Sequence, residues 1–240
     1  MRFAWIAIIA TAAAASWSQA RAADTGVAPD PLVVDPSHYH LEVENQWVRV
    51  FREHMEPHGK LIKHTHPAPG AVVVYMTDQN VRQVLADGTI RVVRHKFGDV
   101  AWWPASTHES ENLADTPFEC IQIEPRRTVK ETGAAAEKTD PVVIDPHRYH
   151  VEFENERVRV IRATIGPHEK LIMHKHPATD AVVVYLTDQD MRQGHADGRS
   201  SESHNKAGQV RFVPKDSAHQ DENLSDKPFK LIRIELKAAL

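Results

Sequence analysis

Cysteine is almost missing from this 240-residue chain, which has Cys120 alone. No intrachain disulfide is possible, so the fold must rest on its apolar core. A strong net charge is missing as well. Lysine and arginine number 29 against 33 aspartates and glutamates, a formal charge of −4 with histidines neutral. That balance excludes the polybasic surface that nucleic-acid binding requires. After the first fifteen residues no apolar run approaches the roughly 20 residues of a membrane span. No segment carries a convincing amphipathic helical period, which argues against a helical bundle.

The one long apolar run opens the chain. Met1-Arg2 is basic, Phe3 to Ala15 is apolar and alanine-rich, and Ala20-Arg21-Ala22 is a small-x-small cleavage signal. Residues 1–22 therefore read as a secretory signal peptide, and a periplasmic or secreted mature protein with no membrane anchor is expected. Loss of Arg2 and Arg21 takes the formal charge from −4 to −6. Cys120 lies in the alternating run Phe118-Glu119-Cys120-Ile121-Gln122-Ile123-Glu124. It shares a face with Phe118 and Gln122 there and reads as a buried, inert thiol.

Histidine is what the chain has in excess, at 16 residues. The arrangement is more telling than the number, because the chain contains one pattern twice. Lys60-Leu61-Ile62-Lys63-His64-Thr65-His66-Pro67 recurs as Lys170-Leu171-Ile172-Met173-His174-Lys175-His176-Pro177. Apolar runs follow, Ala71-Val72-Val73-Val74-Tyr75 and Ala181-Val182-Val183-Val184-Tyr185. The Asp-Pro leads at Asp30 and Asp140, the Val-Arg-Val triplets at Val48 and Val158, and the Asp-Gly turns at Asp87 and Asp197 keep the same offset of 110 residues.

Period-two patterns recur at 46–53, 71–76, 81–85, 89–95, 99–103 and 117–124, and again about 110 residues later. Turn signals separate them at short intervals, which predicts an all-β barrel or sandwich in each half. The domains are then 30–125 and 140–236. The unrepeated polar stretch 126–139, with Gly133-Ala134-Ala135-Ala136, is the linker. In a strand, alternate side chains share a face, so each HxH pair directs two imidazoles the same way, about 6–7 Å apart at the backbone. Both can reach one ion through bonds of about 2.0–2.1 Å.

A third histidine occupies the same relative place in each half. His108 follows Gly98 and Pro104, with Asn112 four residues on; His219 follows Gly208 and Pro214, with Asn223 four on. The first copy is one residue shorter between proline and histidine. Together these motifs resemble the cupin superfamily, and in particular a tandem bicupin, over essentially all of the mature chain. The family's first motif is a glycine-led HxH followed by a glutamate; its second is G-x5-P-x-G-x2-H-x3-N. The resemblance implies two double-stranded β-helix, or jelly-roll, barrels. Carried over residue by residue, it implies metal ligands His64, His66 and His108 in the first and His174, His176 and His219 in the second.

The family's glutamate is absent from both copies, where its slot holds Gly70 and Asp180. Asp180 keeps strand parity with His174 and His176, which makes it a candidate auxiliary ligand or base. Three imidazoles with open positions suit a divalent transition metal, with iron, manganese, zinc, nickel and copper all open. The resemblance implies a small-molecule substrate or ligand, with a dioxygenase-type oxidoreductase as the leading expectation and a non-catalytic binding protein as the rival. Homo-oligomerisation is left open. His58, His168, Lys60 and Lys170 read as solvated turn or surface groups. Of Trp102 and Trp103, which point opposite ways, one belongs to the core and the other can cover an interface. Glu109, Glu111 and Asp221 flank the third histidines and are candidates to support them.

Overall fold

The structure is a computed structural model that describes residues 29–126, 138–176, 180–215 and 218–237. The expected signal peptide and nearly all of the expected linker lie outside the described residues.

Each half opens with one helical turn, α1 (Pro31–Val34) or α2 (Pro141–Ile144). Asp30 and Asp140 cap these turns by accepting from the Leu32 and Val142 N–H groups, and proline stands at the first helical position, where its missing N–H costs nothing. Strands β1 (Tyr39–Glu44), β2 (Val48–Met55), β3 (Lys60–Tyr75), β4 (Gln79–Leu85), β5 (Ile90–His95), β6 (Val100–Asn112) and β7 (Phe118–Pro125) follow. They form one antiparallel sheet in the order β1-β2-β7-β3-β6-β4-β5.

The second half repeats this plan with β8 (Tyr149–Glu154), β9 (Val158–Ile165), β10 (Ala181–Tyr185), β11 (Gln189–His195), β12 (Ser200–Asn205), β13 (Val210–Val213), β14 (His219–Asn223) and β15 (Phe229–Leu236). Here the sheet is divided into β13-β10-β15-β9-β8 and β12-β11-β14. In the first half, the long β3 and β6 span both parts of the barrel. Their register shifts between Leu61 and His64 and again between His66 and Gly70. In the second half the pairing that corresponds to the first part of β3 survives as the bridges Lys170↔Glu222 and His174↔His219. The all-β, two-barrel architecture expected from the sequence is the one observed.

The apolar runs 71–75 and 181–185 are buried at every position rather than at every second one. The reason is that both faces of these strands are covered. One face packs within its own barrel: Phe51, Val73, Tyr75, Phe118 and Cys120 belong to one cluster in the first half. The other faces the second barrel. Val50, Val72, Val74, Ile121 and Ile123 share a single core with Val160, Val182, Val184, Ile232 and Ile234. Trp102 packs against this shared core and Trp103 against the first barrel's own cluster, as their alternation requires.

Candidate metal centre

The six histidines assemble into two triads. His64, His66 and His108 bring one ligand nitrogen each to within 4.8 Å of one another, and His174, His176 and His219 do the same. All six side chains are buried. The geometry follows from pairing. His64 lies opposite His108 across β3 and β6, and His174 lies opposite His219. The one-residue difference in spacing therefore leaves both third histidines in place.

Each ring is turned so that one nitrogen faces the centre. His64 Nδ1 donates to the Ile62 carbonyl at 2.7 Å, and His174 Nδ1 to the Ile172 carbonyl at 2.9 Å. His66 Nδ1 lies 3.2 Å from Glu124 Oε1, and His176 Nδ1 3.0 Å from Glu235 Oε1. Donation from Nδ1 fixes the tautomer and leaves a lone pair on Nε2. The Nε2 atoms of His64 and His66 then stand 3.1 Å apart, with the Tyr39 hydroxyl 3.1 Å from His64 Nε2. Two lone pairs this close call for a shared cation. Metal–nitrogen bonds of about 2.0–2.1 Å meeting at roughly 90–110° place their nitrogens about 2.9–3.4 Å apart, so the spacing fits. In the second triad His174 Nε2 is buried and has no hydrogen-bond partner among the described residues. A buried acceptor of this kind is costly unless something fills the site.

Electrostatics prepare the same rings. Burial, reinforced by His66, lowers His64 to about 4. Burial with His64, His66 and Arg91 nearby lowers His108 to about 2. Burial and the Arg233 guanidinium lower His176 to about 3, and burial also lowers His174. These imidazoles are neutral at pH 7, the form that binds a divalent transition metal.

The supporting residues were not named from sequence. Glu124 and Glu235 hold His66 and His176, and each is itself held by an arginine. Arg49 Nε donates to Glu124 Oε2 at 2.9 Å and Arg49 Nη1 to Asp30 at 2.5 Å. Arg159 Nε donates to Glu235 Oε2 at 2.7 Å and Nη1 to Asp140 at 2.6 Å. Burial works against the Glu235 charge, but His176, Arg233 and Arg159 outweigh it and hold the carboxyl at about 2. The signal was present in the repeated Asp-Pro, Val-Arg-Val and terminal Ile-Glu pieces, whose charged residues recur in step.

Other expected residues fall elsewhere. Asp180 is not among the atoms gathered at the second triad; its Oδ1 accepts from the Lys215 N–H at 2.9 Å. Gly70 has φ +118 and abuts the Trp103 carbonyl. Asn112 and Asn223 clamp turns by donating to the Thr116 and Lys227 carbonyls, 2.9 and 2.8 Å away. His58 and His168 are exposed turn residues with positive φ, paired with Asp115 and Asp226. Asp221 lies 3.8 Å from His219 Nε2, whereas Glu111 pairs with Arg82 and Lys60. Cys120 is buried beside Glu53, and burial above all keeps its thiol protonated.

A small cleft open to solvent adjoins the first triad. His66 and His108 line it together with Glu53, Gln122, Arg91 and Trp103. Glu53 is buried and accepts from Gln122 Nε2. Burial raises its pKa, opposed in part by His66.

No protein-family model and no curated protein matches the chain. Among solved structures, a cupin domain from Bordetella pertussis Tohama I is 31% identical, covering 38% of this chain and 92% of that one, with a TM-score of 0.35. AerE from Microcystis aeruginosa is 15% identical, covering 88% and 97%, with a TM-score of 0.61. Oxalate decarboxylase from Bacillus subtilis is 13% identical, covering 85% and 76%, with a TM-score of 0.55. The chain has the fold of cupin barrel proteins, in two tandem copies that each carry three clustered histidines.

Proposed function

We propose that the chain is an exported, metal-dependent enzyme acting on a small oxygen-bearing molecule, of the dioxygenase or a related oxidoreductase type. The observation that carries this reading is the first triad. Three buried histidines converge there, with two Nε2 atoms 3.1 Å apart, beside an open cleft that also holds Glu53. A divalent metal would be held by His64, His66 and His108, and by His174, His176 and His219, and would supply Lewis-acid or redox chemistry at its open positions. Glu124 and Glu235 keep the ligands oriented. Glu53 is placed to exchange a proton with a molecule in the cleft, and Trp103 and Phe118 restrict water there. Export rests on the signal-like residues 1–22. Bacillus subtilis oxalate decarboxylase has Mn(II) centres, which makes manganese a metal to test first.

One observation favours the rival reading, a non-catalytic binding protein. Neither triad gathers a carboxylate as a fourth ligand among the described residues. The deciding experiment is elemental analysis of the mature protein purified from its native compartment, paired with oxygen-uptake screening of small carbonyl and thiol compounds. One or two equivalents of one metal, lost with His64→Ala or His174→Ala, and metal-dependent turnover would support the enzyme. Metal without turnover in any metal form would favour the binder. Failure of the wild type to take up metal would overturn both as metal proteins.

A further inference from the structure

The two triads match closely, but their surroundings do not. Strand register aligns the barrels residue by residue. Tyr39 pairs with Glu53 in the first and Tyr149 with Ala163 in the second. Val73 pairs with Gln122 in the first and Val183 with Arg233 in the second. The first cleft therefore has a glutamate and a glutamine where the second barrel has an alanine and an arginine. Near-identical ligand sets thus differ in charge at these two positions.

Arg233 is only 8% exposed. Its Nε makes a long hydrogen bond of 3.3 Å to Glu235 Oε1, and its guanidinium makes no other hydrogen bond among the described residues. Glu235 is already engaged, its Oε1 by His176 and its Oε2 by Arg159. A guanidinium has five donors in a planar fork, and none of Arg233's is among the buried side-chain atoms that lack a partner, so its remaining donors face open space. An oxyanion meets such a fork well. One carboxylate also stands near this triad: Asp221 occupies the position of Ser110 in the first barrel. It accepts from Gln193 Nε2 at 3.1 Å and lies beside His219, whereas Arg233 shares Glu235 with His176.

We propose that the two sites serve unlike ligands, and that the C-terminal site takes a small carboxylate whose charge is met by Arg233. The first site, with Glu53 and Gln122 at the corresponding positions, disfavours such an anion. This inference rests on the metal reading above and deepens it. A divalent metal would be held by His174, His176 and His219, and Arg233 would meet the charge of a carboxylate bound there.

The test is calorimetric titration of formate, with formamide as the neutral control, into the full mature chain loaded with Mn(II). Metal content is measured on the same samples. The wild type is expected to bind about one equivalent of formate and to ignore formamide. Arg233→Gln should weaken formate binding by about tenfold or more when compared at equal metal load. The converse variant, Glu53→Ala with Gln122→Arg, should add a second binding event, and it decides the matter if Arg233→Gln does not fold. Formate affinity indifferent to both changes, at full metal load, overturns the anion site alone. A chain that takes up no metal yet binds formate through Arg233 overturns the metal reading alone.

Discussion

Arg52 of the first barrel donates from Nη2 to the Gly208 carbonyl of the second at 2.6 Å. Arg162 repeats the contact in the opposite direction, to the Gly98 carbonyl at 2.6 Å. Each arginine is also fixed by carboxylates, Arg52 by Glu42 and Glu119 and Arg162 by Glu152. The two barrels are thus tied by a pair of equivalent contacts around the shared valine and isoleucine core. Truncating either arginine leaves a carbonyl without its charged donor. Arg52→Ala and Arg162→Ala should each cost about 1–3 kcal/mol. They share no partner, so the double variant should show the sum. Urea unfolding checks this; midpoints equal to wild type would show that the contacts contribute nothing.

Glu124→Gln and Glu235→Gln should leave the fold intact and loosen the metal. Each keeps the shape of the side chain but loses the carboxylate that holds His66 or His176. A fall in metal affinity of about 10–100-fold at the corresponding barrel is expected. Competition with a chromogenic chelator measures it, and a change in the other barrel instead would contradict the assignment.

Gly70→Glu, which writes the family's glutamate back into the first motif, should fail to restore a ligand. At φ +118 a side chain is strained, and its Cβ would lie 2.2 Å from the Trp103 carbonyl oxygen and 2.9 Å from Pro104 Cα. Strain alone is worth about 1–3 kcal/mol, and the clash adds to it. Reduced stability with no gain in metal affinity is expected. A stable variant that binds metal more tightly would show that this turn can rearrange.

Arg148 grips Glu169 with two hydrogen bonds of 2.8 and 2.9 Å, and the Gly166 N–H adds a third at 2.7 Å. The Arg148 contact, then the Gly166 N–H, hold the Glu169 carboxyl at about 2, below its ordinary 4.5. The group is depressed on folding, so its contribution is complete above pH 4.5 and is lost as pH falls towards about 2. The difference in thermal midpoint between wild type and Glu169→Gln should therefore be largest near neutral pH and close across that window. A constant difference down to pH 2.5 would refute it.

Much of the site was legible because it is local. His64 and His66 are two residues apart on a strand, and alternation alone puts them on one side. The third histidines were found because each half places one shortly after a glycine and a proline and four residues before an asparagine. Parity failed where the strand is irregular. Between His66 and Gly70 the register shifts, so position 70 no longer counts in step with 64 and 66. In the second half the corresponding residues 177–179 lie outside the described ones, and Asp180 beyond them serves the Lys215 N–H.

By itself, then, the amino-acid order determined the duplication, the strand content and the two sets of three histidines, since each is a matter of spacing along one chain. Only the tertiary structure decided which distant groups support them. Glu124 reaches His66 across 58 residues, and Glu235 reaches His176 across 59. The same holds for the central strands, whose second buried face exists only because another barrel covers it. Period and spacing follow from backbone geometry, whereas partners across a sheet or between barrels depend on register, bulges and packing that the local pattern does not encode.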